Sequence, residues 1–167
     1  MAKLMKAMAI IFVVLSVLFY YLDITWAFIT ALTFSYHLLM RLAVGHIVNA
    51  VMKNRADYNK KRYQLKPFEK RLYEKLKVKK WKGKMPTYSP GTFSVKEHSY
   101  AEIAGAMCQA ETVHEIIVVL SFIPLFFAIP FGSFVVFLIT SILSAGFDTM
   151  LIIIQRYNRP RVIRLIK

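Results

Sequence analysis

The sequence predicts an all-α integral membrane protein whose four transmembrane helices form two hairpins. Three observations lead to this fold class. The chain of 167 residues is 57% hydrophobic, which exceeds the content of an ordinary soluble domain. Four apolar stretches approach the ~20 residues that a helix needs to cross a bilayer. A strongly basic segment, 53–98, separates the second stretch from the third. We therefore treat residues 1–167 as a single membrane domain.

The apolar stretches follow one another in two pairs with very short connections. One connection lies at Asp23 and the other at 130–132, so each pair should fold back as a helical hairpin. Lys3 and Lys6 before the first stretch also suit a signal peptide, but bulky residues follow it where a cleavage site needs small ones. We therefore interpret all four as membrane helices, predicted at about 4–22, 24–43, 110–131 and 133–154.

The charge of the connecting segment predicts the topology. Residues 53–98 contain fifteen lysines and arginines against four acidic residues. The positive-inside rule places such a segment in the cytoplasm. Four spans return the chain to the side on which it starts, so both termini should be cytoplasmic as well. The prediction is a multi-pass membrane protein with a basic cytosolic connector.

Within the connector, residues 67–78 should form an amphipathic helix. Phe68, Leu72 and Leu76 share one apolar face, with lysines and arginines around it. A basic helix with such a face lies at a membrane surface, and Trp81 after it suits an interfacial anchor. Attraction to anionic membrane lipids is one interpretation and capture of an anionic substrate is another. Nucleic acid is disfavoured as a partner because both ends of the segment are tethered to a bilayer.

The strongest chemical motif is Glu111-x-x-His114, at the start of the third span. The two side chains lie one turn apart on a helix, where the carboxylate can orient the imidazole so that His114 removes a proton from a hydroxyl group. A helix–helix hydrogen bond is the alternative. Glu-x-x-His is also half of a di-iron pattern, but the second half is missing. The single cysteine, Cys108, provides no metal-ligand spacing, so we expect neither a metal nor a bound cofactor.

Further polar residues should lie at the same depth of the membrane. His46 and Asn49 are one turn apart at the inner end of the second span. His37, Arg41 and Asp148 are deeper, and we interpret them as a structural network in which Asp148 pairs with Arg41. The last span runs into a polar cap with more arginines than anchoring requires, so this cap is a candidate binding site. It consists of Gln155, Arg156, Tyr157, Asn158, Arg159, Pro160 and Arg161.

Three blocks of this sequence resemble the bacterial glycosyl-4,4'-diaponeurosporenoate acyltransferase family of staphyloxanthin-type carotenoid biosynthesis. The cap from Ile153 to Arg161 is similar to the family's C-terminal motif. Ala110 to His114 is similar to its alanine-glutamate-x-x-histidine block. The segment from Phe68 to Lys82 resembles its basic region with a tryptophan. The resemblance extends over roughly 65–165 and implies an enzyme of the bacterial cell membrane.

The resemblance implies transfer of a fatty acyl group to a sugar hydroxyl of a glycosylated membrane lipid, a glycosyl carotenoid. His114 with Glu111 would be catalytic, and an acyl-CoA or another acyl carrier would be the cosubstrate. No serine or cysteine lies beside a credible base, so transfer should be direct. Two other functions stay open, a non-catalytic membrane scaffold subunit and an acyltransferase for a different glycolipid. The sequence does not determine the oligomeric state. The predicted substrate-binding residues are Arg156, Asn158, Arg159, Tyr157, His46, Asn49 and Trp81.

Overall fold

The computed structural model describes residues 2–166, and these residues form helices, turns and irregular segments without a β-strand. Short 3-10 turns supplement the helices at Lys61–Tyr63, Lys82–Lys84, Pro90–Phe93 and Ile123–Phe127. The α-helices are α1 (Ala2–Tyr21), α2 (Thr25–Met52), α3 (Pro67–Lys75), α4 (Val78–Trp81), α5 (Tyr100–Leu120), α6 (Ala128–Phe131) and α7 (Phe134–Ile163).

Four helical segments have the length and hydropathy of membrane spans, which confirms the predicted number. They are Ala2–Tyr21, Thr25–Met52, Tyr100–Phe131 and Phe134–Ile163. The arrangement of these spans as two hairpins stays a prediction.

Three helix boundaries differ from those predicted. The helix α2 continues to Met52, beyond the predicted end at 43. The helix α5 begins at Tyr100, ten residues before the predicted start of the third span. The added turns contain polar residues such as Glu102, which are tolerated because this helix need not be apolar throughout. It ends at Leu120, and Pro124 then favours the 3-10 turn because proline has no amide proton and clashes with the preceding turn of an α-helix.

The helix α7 also exceeds its prediction, because it continues from the apolar span through the whole polar cap to Ile163. Pro160 lies inside its last turns. The proline removes only one amide donor there, and the side chains before it are held by partners outside the helix. Arg156 and Arg159 are therefore presented from a regular helical surface, one turn apart.

The chain divides into two compact units, and the first contains Met1–His46 and Ile116–Asp148. In this unit α1 and α2 contact each other through stacked rings of Phe12 and Phe34, whose centroids are 5.0 Å apart. Arg41 donates a hydrogen bond of 2.5 Å to Asp148, which confirms the predicted pair. Most large apolar side chains of α1 are exposed, as expected for a helix whose solvent is lipid.

The second unit contains Ile47–Glu115 and Thr149–Lys167. The predicted amphipathic helix forms as α3 but ends at Lys75, because Lys77 adopts a positive φ of 51° that no α-helix continues through. The turn after α2 packs closely on α5. A Cβ atom on Gly105 would lie 2.7 Å from the carbonyl oxygen of Asn54, so glycine allows this close approach.

Candidate functional site

Four charged side chains form a buried cluster within the second unit, which we call the Glu111 cluster. It consists of Glu69 of α3, Glu111 of α5, and Arg156 and Arg159 of α7. Glu111 is completely buried, and Arg159 is only 1% exposed. Two carboxylates balance two guanidinium groups, so the cluster is electrically neutral. Such burial is tolerated because every charge has an opposite partner in direct contact.

Glu111 accepts a hydrogen bond from each arginine. Arg156 Nη1 donates to Glu111 Oε1 at 2.6 Å, and Arg159 Nη1 donates to Oε2. Both arginines project from α7 at positions three residues apart, so they meet one carboxylate of α5 together. The sequence motif led us to expect that Glu111 serves His114. Its two oxygens hold the last helix to α5, and its role toward His114 stays a prediction.

Arg156 uses all five of its N–H groups on protein acceptors. Its Nε and Nη2 form a two-pronged contact with Glu69 at 2.6 and 2.8 Å. Its remaining donors reach Glu111 and the backbone oxygens of Arg62, at 3.0 Å, and Gln64, at 2.9 Å. A guanidinium group has five donors in a fixed planar fork. The side chain is therefore saturated by the protein.

Arg159 also binds the connector. Its Nη2 donates to the backbone oxygen of Tyr63, and its guanidinium group lies 5.3 Å from the centre of the Tyr63 ring. We expected Arg156 and Arg159 to hold a phosphate group or an oxyanion. Their role in binding substrate stays a prediction, and the contacts seen in the structure are with the protein itself. Both side chains are buried among acceptors of the protein, because the irregular connector has backbone carbonyls that need hydrogen-bond donors.

The surroundings of Glu69 shift the pKa values of two connector groups. Burial by itself would raise the pKa of Glu69, but hydrogen bonds from Arg156 and from the Lys66 amide outweigh it, so this pKa is lowered. Burial and the Glu69 charge raise the pKa of Tyr73 to about 12. The Tyr73 hydroxyl donates to Glu69 at 3.2 Å. Glu69 therefore stays ionised and Tyr73 stays neutral at physiological pH.

His114 lies on α5 and is half-buried. Its helix neighbours are fixed by the connector. The hydroxyl groups of Tyr63 and Thr112 are 3.0 Å apart, and Arg62 donates to Glu115 at 2.5 Å. The helix that carries the imidazole is thus held by the connector on both sides of His114 in sequence. Its role as a general base stays a prediction.

Most of the other predicted binding residues lie in the second unit. Asn49 is exposed and accepts a hydrogen bond of 3.1 Å from Gln109 of α5. Trp81 is half-buried and donates to the Leu76 carbonyl at 3.0 Å. Tyr157 and Asn158 are half-buried on α7. His46 is exposed and belongs to the first unit.

Two cations that were not among the predicted substrate-binding residues lie beside Tyr157 and Asn158. Lys82 donates to Asn158 Oδ1 at 2.5 Å, and its ammonium group is 5.0 Å from the centre of the Tyr157 ring. The Arg161 guanidinium group is 4.0 Å from the same ring. Within the described chain neither cation forms an ion pair with a carboxylate. Burial, then nearby Arg161, lowers the pKa of Lys82 despite the opposing effect of Tyr157.

The sequence contained a weak signal for some of the residues that were missed. Glu69 is the only acid near the start of α3, and an acid at the third position of a helix suggests a cap. It does receive the Lys66 amide at 2.6 Å. Its second role, as the partner of Arg156, joins residues 87 positions apart, and no local pattern predicts that. Among residues 2–166, no group of three or more histidine, cysteine, aspartate or glutamate side chains could hold a metal ion.

Helices of bilayer length joined by a basic connector define an integral membrane protein, and its polar cluster lies where the connector meets α5 and α7. The family model of the glycosyl-4,4'-diaponeurosporenoate acyltransferases matches residues 55–167. The chain therefore belongs to this family, and the matched region contains the whole Glu111 cluster. No curated protein and no solved structure matches the chain. The family's name describes an acyltransferase of carotenoid biosynthesis.

Proposed function

We propose that the protein moves a fatty acyl group to a sugar hydroxyl of a glycosylated membrane lipid, a glycosyl carotenoid. The observation that carries this proposal is membership in the acyltransferase family over a region that includes both the histidine motif and the arginine cap. Four candidate membrane spans support an acceptor that is itself a membrane lipid. The acyl donor, an acyl-CoA or another acyl carrier, binds as a cosubstrate.

In this proposal His114 is the general base. A ring nitrogen of His114 removes the proton of the sugar hydroxyl as the oxygen attacks the acyl carbonyl carbon. The bond between that carbon and the carrier then breaks, and the carrier's thiolate or oxygen takes up the proton. His114 suits this role because it is half-buried, so a substrate can reach it, and because neighbouring contacts fix its helix.

Glu111 has a positioning role in this proposal. Its carboxylate binds Arg156 and Arg159, so it fixes α5 against α7 close to His114. A rigid helix at this point limits the movement of the imidazole, and small displacements of a base are costly for catalysis. The expected effect of changing Glu111 therefore includes loss of the local structure as well as loss of activity.

We further propose that the anionic part of the acyl donor binds at Lys82, Asn158 and Arg161 rather than at the two buried arginines. Lys82 and Arg161 are positive groups without a carboxylate partner among the described residues, whereas Arg156 has no donor left. Two cations that share the surface of Tyr157 repel each other, and an anion between them would relieve that repulsion. Asn49 and Trp81 are proposed contacts for the acceptor lipid.

Mass spectrometry of lipids tests the reaction. The protein would be expressed in a bacterium that makes a glycosyl carotenoid without acylating it. The wild-type protein should produce one new acylated lipid, and His114→Ala should abolish it while the protein still inserts in the membrane. His98→Ala is the control, because His98 is exposed, lies just before α5 and is not part of the Glu111 cluster.

Each outcome of that experiment has a separate meaning. No new lipid from the wild-type protein, with the glycosyl carotenoid present, would support the scaffold alternative. Acylation of another glycolipid alone would retain the reaction class and exclude the carotenoid substrate. Full activity of an inserted His114→Ala protein would show that His114 is not the base.

A second experiment tests the proposed cytoplasmic location of the connector. A cysteine at position 83 meets no neighbouring atom, so the substitution Gly83→Cys should leave the structure intact. An impermeant thiol reagent added to intact cells should not label it, and permeabilised cells should be labelled. The native Cys108 is fully buried, so the unmodified protein provides the background. Labelling of intact cells would reverse the topology.

A further inference from the structure

The burial pattern of α3 is inverted relative to that of a helix on a water-soluble protein. Its polar residues Glu69 and Tyr73 are buried, with exposed fractions of 7% and 4%. The apolar side chains of Phe68 and Leu72, and of Leu76 just after the helix, are 60%, 41% and 44% exposed. A helix in water buries its apolar stripe, so this pattern indicates that the exposed side of α3 does not face water.

The rotation of α3 about its own axis is fixed by the side that is buried. Glu69 receives two hydrogen bonds from Arg156, at 2.6 and 2.8 Å, and the Tyr73 ring meets the Tyr157 ring edge-on with centroids 6.2 Å apart. Turning Leu72 inward would break the ion pair of Glu69 and leave Arg156 with only one of its two carboxylate partners. The apolar stripe is therefore held outward by electrostatics.

The exposed stripe borders an open groove. Pro67, Phe68 and Leu72 form its apolar part, and Arg71 and Lys75 form its cationic part, with a volume of about 490 Å³. At 100° of rotation per residue, both cations lie on the side of the stripe away from buried Glu69. An apolar strip with a cationic edge is complementary to a phospholipid, which has acyl chains beside an anionic phosphate.

We propose that α3 is an interfacial helix that inserts Phe68, Leu72 and Leu76 into the surface of an anionic bilayer. Arg71 and Lys75 bind the lipid phosphates at the edge of the stripe. The bilayer is the occupant that the chain favours, because helices of membrane-spanning length precede and follow the connector. The fifteen basic and four acidic residues of 53–98 favour anionic lipids. This inference concerns membrane contact and does not depend on the reaction catalysed.

Electron paramagnetic resonance on the full-length protein tests the proposal. A nitroxide label on Leu72→Cys would be studied in lipid nanodiscs made of phosphatidylglycerol and phosphatidylcholine. We expect the label to collide more with oxygen, which concentrates in lipid, than with a water-soluble nickel chelate. The matched control is Glu74→Cys, because Glu74 is exposed and lies about 200° around the helix from Leu72. That label should show the opposite preference.

The cationic edge is tested by removing its charge. Arg71→Gln with Lys75→Gln should shift the label at position 72 toward water, and nanodiscs of phosphatidylcholine alone should do the same. Lys70→Gln with Lys79→Gln removes equal charge elsewhere and should have a smaller effect. Equal nickel accessibility at positions 72 and 74 would overturn the proposal. Spin–spin broadening at position 72 would also overturn it, because a second copy would then cover the stripe.

Discussion

The two units each contain a buried arginine–carboxylate network, and the networks differ in what they hold together. Among the described residues, the hydrogen-bond partners of Arg41 in the first unit are helical groups, namely the His37 carbonyl, Ser144 and Asp148. The Glu111 cluster of the second unit also satisfies backbone carbonyls of the irregular connector, at residues 62, 63 and 64.

The two networks also differ in how exposed their arginine side chains are. The Arg41 side chain is 16% exposed, whereas those of Arg156 and Arg159 are 7% and 1% exposed. Without Asp148, Arg41 still donates to the His37 carbonyl and to Ser144, whereas the loss of Glu111 removes one carboxylate from two buried arginines at once. The comparison shows that one type of ion pair can join regular helices or fold a segment that has no regular structure. Disruption should be tolerated in the first case and not in the second.

The largest expected difference comes from removing the two acids. Glu111→Gln leaves two buried guanidinium groups without their shared charge and should lower the free energy of unfolding by about 3–5 kcal/mol. Asp148→Asn leaves one partly exposed arginine and should cost about 1–3 kcal/mol. Unfolding of the purified proteins by a denaturing detergent measures both. Equal losses would contradict the distinction between the networks.

Lysine substitutions test the same distinction through geometry. Lysine has three donors and no planar fork, so Arg156→Lys gives up at least two of five hydrogen bonds and should cost about 1.5–3 kcal/mol. Acyl transfer should fall in parallel with the folded fraction, because Arg156 acts through structure. Arg164→Lys, on an exposed residue, should change stability by less than about 0.5 kcal/mol. Loss of activity by a fully folded Arg156→Lys protein would restore a role in substrate recognition.

Two glycines offer a smaller contrast between the units. Gly105→Ala places a methyl group 2.7 Å from the Asn54 carbonyl and should destabilise the second unit by about 1–3 kcal/mol. Gly146→Ala in the first unit meets nothing within 4 Å and should be neutral or stabilising by about 0.5–1 kcal/mol, because alanine favours a helix. Thermal unfolding in detergent compares them. A neutral Gly105→Ala would show that the turn after α2 can move.

The smallest effect is expected from pH. The pKa of Glu69 is lowered in the folded protein from its ordinary value of 4.5. Its contribution to stability is therefore complete above about pH 4.5 and is lost as the pH falls through the folded pKa. Wild-type stability should decrease below that pH more steeply than that of Glu69→Gln, which cannot titrate at this position. Parallel pH profiles would show that Glu69 is not the group responsible.

Much of the fold was predictable because its signals are local. The number of membrane spans follows from the lengths of the apolar stretches. The amphipathic face of α3 follows from the spacing of residues 68, 72 and 76. The Arg41–Asp148 pair was also predictable, because a buried charge needs a partner and only one acid lay at a suitable depth. The role of Arg156 was not predictable. Its partners Glu69 and Glu111 are 87 and 45 positions away, and a sequence does not show which helix faces contact.

The sequence by itself determined that this is a helical membrane protein with a basic connector, and its motifs determined the family. Apolar length, charge balance and short motifs are properties of the chain that no neighbour can change. Only the tertiary structure decided which cations are paired with carboxylates of the protein and which are not. Arg156 and Lys82 look equally available in sequence, but packing gives one a pair of carboxylates and the other a neutral amide. That difference arises because electrostatic pairing depends on distance in space, which packing sets.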